Sequence, residues 1–101
     1  MSLPATIRPE AESDVAEAYA WYEARSPGLG LEFIRAFEAR LSFVEQNPFA
    51  CQVVHQQARR ALLRRFPYAL FYVVEEARLV VIACLHAKRN PDVLRRRVSG
   101  R

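Results

Sequence analysis

The chain predicts an α+β fold, with an N-terminal strand and an antiparallel helix hairpin packed on one face of a small antiparallel sheet. Three observations carry this reading. Two segments with helical apolar spacing fill the first half, and three extended runs rich in Val, Leu, Ile and aromatic residues fill the second. The links between the extended runs are too short for anything but antiparallel neighbours. Helices first and strands afterwards make a layered α+β domain. At 101 residues it is one domain, with residues 1–4 and 95–101 expected to be flexible ends.

The elements follow in order. "LPATIR" (3–8) suits a short strand. Pro9 then opens a helix at its first turn, where a missing N–H costs nothing, and Glu10, Glu12 and Asp14 sit where the helix dipole favours acids. Val15, Ala18, Tyr19 and Tyr22 recur on one face, which places the helix over about 10–25, up to the break "SPGLG". A second helix runs from about Gly30 to Gln46 on the stripe Phe33, Ile34, Phe37, Leu41 and Val44. Pro48 ends it, because the residue before a proline avoids the α region. After a loop, "RRALLRRF" (59–66), "YALFYVVE" (68–75) and "RLVVIACLH" (78–86) read as three strands.

Strict alternation in the last strand puts Leu79, Val81, Ala83 and Leu85 on one face and Val80, Ile82, Cys84 and His86 on the other. Both faces are then apolar, whereas an antiparallel sheet with one wet face alternates apolar and polar. Two helices cover one face only. The second needs a cover: a partner chain, a second copy or the basic C-terminal segment.

Composition narrows the function. No apolar run approaches the ~20 residues of a membrane span, and "MSLPATIRPEAE" is no signal peptide, so the expected location is the cytoplasm. Cys51, Cys84, His55 and His86 lack the spacing of a metal site or redox pair, and neither metal nor cofactor is expected. Net charge is +4, unevenly spread: residues 1–58 hold four arginines against eight acids, and residues 59–101 eleven cations against three acids. Such asymmetry points to an anionic partner, and arginine, which supplies all cations but Lys88, suits forked contacts to phosphate or carboxylate.

Chemistry-bearing groups gather at two strand ends. Arg59, Arg60, Arg64 and Arg65 share one strand, and His86, Lys88 and Arg89 close another that runs the same way. Arg64, Arg65, Lys88 and Arg89 are candidates for holding an anion or a target protein. His86 has a pKa range suited to proton transfer and is the one candidate general base for metal-independent RNA cleavage. Against these stand plainer readings: arginines that keep a strand edge soluble, and a structural histidine at a strand end.

The segment "RRFPYALFYVVEEARLVVIACLHAKRNP" (64–91) resembles the C-terminal half of the RelE/ParE family of type II toxins. The pattern is an Arg-rich strand, an FPY turn at Phe66-Pro67-Tyr68, an acidic hairpin, and an apolar strand closing on His86-Ala87-Lys88-Arg89-Asn90-Pro91. "IRPEAESDVAEAYAWYEARSPGLGLEFI" resembles the family's leading strand and helix hairpin, so the likeness spans about residues 5–91. The resemblance implies a toxin neutralised by a cognate antitoxin that wraps around it, with Leu70, Tyr72, Val80, Ile82 and Cys84 as candidate antitoxin contacts. It implies one of two targets. ParE-like members poison DNA gyrase and are not enzymes; RelE-like members cut mRNA on the ribosome without a metal. The FPY turn and the closing element resemble the ParE side. One lysine and no aromatic after Tyr72 depart from the nuclease pattern. A non-catalytic nucleic-acid-binding module is the remaining alternative, carried by the charge split alone.

Overall fold

A computed structural model describes residues 1–88 and 91–99. The elements are β1 (Ala5–Ile7), α1 (Pro9–Arg25), α2 (Leu29–Gln46), β2 (Val53–His55), β3 (Ala58–Leu62), β4 (Tyr68–Val74), β5 (Leu79–His86) and α3 (Pro91–Ser99). The five strands form one sheet in the order β1-β5-β4-β3-β2, antiparallel except for the parallel β1–β5 pair. The hairpin and the meander stand where the apolar periodicity puts them. Two elements were not expected: β2, inside the loop after α2, and α3, over most of the supposed flexible tail. At the other end, Leu3 is buried rather than loose, and its N–H donates to the Glu45 carbonyl at 2.8 Å.

The hairpin is built by close approach. Gly28, in the left-handed region (φ 90°), turns the chain into α2, and the Glu23 carboxylate accepts from the Gly28 and Gly30 N–H groups at about 3.0 Å. These are first-turn donors that a helix cannot satisfy itself. A Cβ at Gly30 would stand 2.8 Å from the Tyr19 ring and 2.9 Å from the Tyr19 carbonyl oxygen, so only glycine lets the helices meet there. Tyr22, Phe33, Phe66 and Tyr68 then form an aromatic cluster with centroids 4.9–6.0 Å apart, the geometry of edge-to-face and offset pairs. With Ala18, Phe37, Val44, Leu70, Tyr72, Leu79 and Val81 they make the core between hairpin and sheet.

The far side of the sheet carries its own core of Ala69, Phe71, Val73, Val80, Ile82, Ala83 and Leu85, closed by Leu94 and Val98 of α3. The basic C-terminal segment, one of the three covers open to the sequence, lies over this face. Pro91 and Asp92 start α3, and Leu94 and Val98, four apart, share its inner face.

Strict alternation fails in β5. Phe71 faces Ala83, but the next residue, Tyr72, faces Val81, so Ile82 is an extra residue, a β-bulge. Ile82 and Ala83 both turn to the α3 side, and Cys84 swings into the core under the hairpin. The expected grouping of Ala83 with Leu79 and Val81, and of Cys84 with Val80 and Ile82, is therefore corrected.

Candidate functional site

The bulge is held by an ion pair from two distant helices. β1 covers only Leu79–Val81 of β5, leaving the outer edge beyond Val81 without a strand neighbour. There the Asp14 carboxylate of α1 accepts from the Cys84 N–H at 2.9 Å, and Arg97 of α3 donates to the Ile82 carbonyl at 2.8 Å. Arg97 also donates twice to Asp14, at 2.9 and 3.0 Å. The two side chains are only 10% and 20% exposed, so an unpaired partner would be costly. The Asp14 hydrogen bonds push the Arg97 pKa further up, and burial pushes the Cys84 thiol up to about 12. Asp14 and Arg97 thus stand in for a missing strand and latch α3 to the sheet.

This arrangement separates the residues that the sequence groups at the strand end. His86 lies on the hairpin side, its ring 5.6 Å from that of Tyr68, in an open groove of about 490 Å³ shared with Asp14, Glu17 and Trp21. Its Nδ1 accepts from the Lys88 N–H at 3.3 Å. Lys88 lines a different groove, of about 250 Å³, on the α3 side, with Arg60, His55 and Arg95. Arg65 takes a left-handed backbone (φ 71°) and pairs with Glu32 of α2 at 2.8 Å, while Arg64 is exposed; neither lines the groove that holds Lys88. Arg89 lies outside the described residues. The register sets Leu63, Tyr68 and His86 in one row, so Arg64 follows at the same end of the sheet as Lys88, but the two line no common groove.

The antitoxin-contact candidates are also placed differently. Leu70, Tyr72 and Cys84 are in the core under the hairpin, and Val80 and Ile82 are in the core under α3, each 4% exposed or less. None offers surface in this chain. The Tyr72 hydroxyl donates to the Pro48 carbonyl at 2.9 Å, and burial raises its pKa.

Arg60, Lys88 and Arg95 line one groove together, and Arg8, Arg96 and Arg97 line another. The register sets Arg60 opposite Phe71, on the α3 face beside the exposed Leu62 and Val54. Helical spacing of Leu94 and Val98 after Pro91-Asp92 is the sequence signal that would have found α3, and with it Arg95. Among the described residues no group of three His, Cys, Asp or Glu side chains is placed to hold a metal, and no helix is long and apolar enough to cross a membrane.

A mixed five-stranded sheet between a helix hairpin and a short closing helix defines a class before it defines a family. The same fold is found in a chain of the "Chromosomal ParDE TA system from P. aeruginosa", at TM-score 0.77 and 15% identity, covering 86% of this chain and 98% of that one. No curated protein matches by sequence. The profile of the ParE toxin of the type II toxin-antitoxin system, parDE, matches residues 5–91, and the chain belongs to this family of toxins.

Proposed function

We propose that this ParE-family toxin, held in check by a cognate antitoxin, stops growth by inhibiting DNA gyrase through protein–protein contact, without catalysis of its own. The observation that carries the reading is that, among the described residues, His86 lines a different groove from Arg60, Lys88 and Arg95. Metal-independent RNA cleavage needs a general base within reach of the 2′-hydroxyl while cations hold the same phosphate. Here the candidate base shares its groove with Glu17 and with an Asp14 already paired to Arg97, and Lys88, Arg60 and Arg95 line another groove. The opposing RelE-like reading needs those groups together.

The test is induction from a repressed promoter, with and without the product of the adjacent upstream reading frame. The expected result is growth arrest with a DNA-damage response and loss of plasmid supercoiling, relieved by co-expression. Primer extension showing cuts in phase with codons of translated mRNA would overturn the gyrase reading.

A further inference from the structure

α1 presents a ridge to the end of β5. Asp14, Glu17, Trp21 and Arg25 recur at three- and four-residue spacing, so they are neighbours along one side of the helix. Trp21 is the only tryptophan of the chain and is 52% exposed. The Arg25 guanidinium lies 4.1 Å from its ring centroid. Arg25 does not line the neighbouring groove of about 490 Å³, whereas Trp21 does, with Glu17, Tyr68 and His86. Part of the ring is thus left to the groove. The polar groups there are of two kinds. Glu17 forms no ion pair among the described residues, unlike Asp14, which Arg97 holds. The Ala87 N–H donates to the Pro67 carbonyl at 2.8 Å, so by alternation the His86 N–H points away from β4, to the edge that β1 does not reach.

We propose that this groove takes an arginine side chain carried by a partner protein. The guanidinium lies against the Trp21 and Tyr68 rings, where the negative faces of the rings attract a cation, and its fork meets the Glu17 carboxylate. The aliphatic stem runs along Pro67 and Leu85, which line the same groove. A backbone carbonyl beside that arginine accepts from the His86 N–H. The volume lies within the roughly 300–1,000 Å³ that encloses small ligands, enough for one long side chain. Arginine fits better than lysine, because a planar group stacks on a ring and reaches a carboxylate with the same atoms. The Arg25 contact is the same chemistry within the chain. Nucleic acid fits less well, since the one unpaired side-chain charge of the groove, Glu17, would repel a phosphate. A free polyamine brings cations but no acceptor for the His86 N–H. The inference goes beyond the gyrase reading and does not depend on it.

The test titrates the full chain with N-acetyl-argininamide and reads the fluorescence of Trp21, while amide chemical shifts locate the ligand. The expected result is a saturable change, with shifts at Glu17, Trp21 and His86, and binding weakened about fivefold or more by Glu17→Gln, which removes the charge-assisted contact. Glu38→Gln, on α2 and outside the groove, leaves binding unchanged. N-acetyl-citrullinamide, the neutral isostere, and ethylguanidinium, which lacks the carbonyl, bind more weakly. Circular dichroism confirms that the variants fold. No saturable change, equal binding of the citrulline compound, unchanged binding by Glu17→Gln, or shifts on another surface would overturn the proposal. So would tighter binding of spermidine in the same groove, or a dimer in solution that Glu17→Gln dissolves. Neither growth nor supercoiling is read, so the arginine site can stand if gyrase is not the target, and can fall if it is.

Discussion

The two faces of one sheet are finished in different ways. Under the hairpin, large rings interlock and the glycine at position 30 lets two helices close over them; Phe33, Leu70 and Tyr72 are fully buried. On the other face a nine-residue helix closes over β5 through Leu94 and Val98, secured by the Asp14–Arg97 pair, and leaves apolar and cationic side chains open near β3. Both faces bury Val, Leu and Ile, so hydrophobicity does not tell them apart. Coverage does. The first face is closed by the hairpin; the second is only half closed by α3.

The largest expected effect is on the hairpin face. Phe33→Ala, which empties the centre of the aromatic cluster, should cost about 3–5 kcal/mol in urea unfolding. A loss below that of Leu94→Ala would remove the distinction between the faces. Next is the latch. Asp14→Ala leaves Arg97 half-buried and the Cys84 N–H unpaired, at roughly 2–4 kcal/mol. A double-mutant cycle with Arg97→Ala should return a coupling well above that of a surface pair, and additivity would mean the two side chains do not act together.

Smaller is Leu94→Ala, at about 2 kcal/mol, the low end for a buried leucine because α3 packs at the margin. Hydrogen exchange should show α3 opening before the hairpin, and equal protection would contradict the ranking. Cys84 adds a pH signature. Its thiol is raised by burial, so the stability it contributes is complete below its usual value of about 9 and lost as pH rises towards about 12. Cys84→Ala should flatten part of the alkaline loss, the rest coming from Tyr22 and Tyr72, also raised by burial. An unchanged alkaline profile would argue against it. The smallest effect is at Arg65→Ala, which breaks a pair 73% and 44% exposed and should move stability by less than ~1 kcal/mol.

How much of this was legible depended on how local the signal was. The helix bounds at 9–25 and 29–46 follow from Pro9, Gly28 and Pro48, residues that set backbone geometry where they stand. The β5 bulge had no such mark, since Ile82 and Ala83 lie in an unbroken apolar run and the register shift is a property of pairing with β4. One extra residue inverts every side chain beyond it, which is why Cys84 was assigned to the wrong face. Arg60 could be placed beside Lys88 only after β3, β4, β5 and α3 were in register. The tail was misread for a simpler reason: three consecutive arginines hid an apolar pair, Leu94 and Val98, with helical spacing.

The measurement closest to the central claim is supercoiling of relaxed plasmid by purified gyrase, titrated with the wild-type chain and with His86→Ala. A non-catalytic gyrase toxin inhibits at stoichiometric concentrations, and the two proteins inhibit equally, because no step of the inhibition needs a general base at His86. Supercoiling untouched by either protein, together with growth arrest that only wild type produces, would contradict the account and restore His86 as a catalytic base.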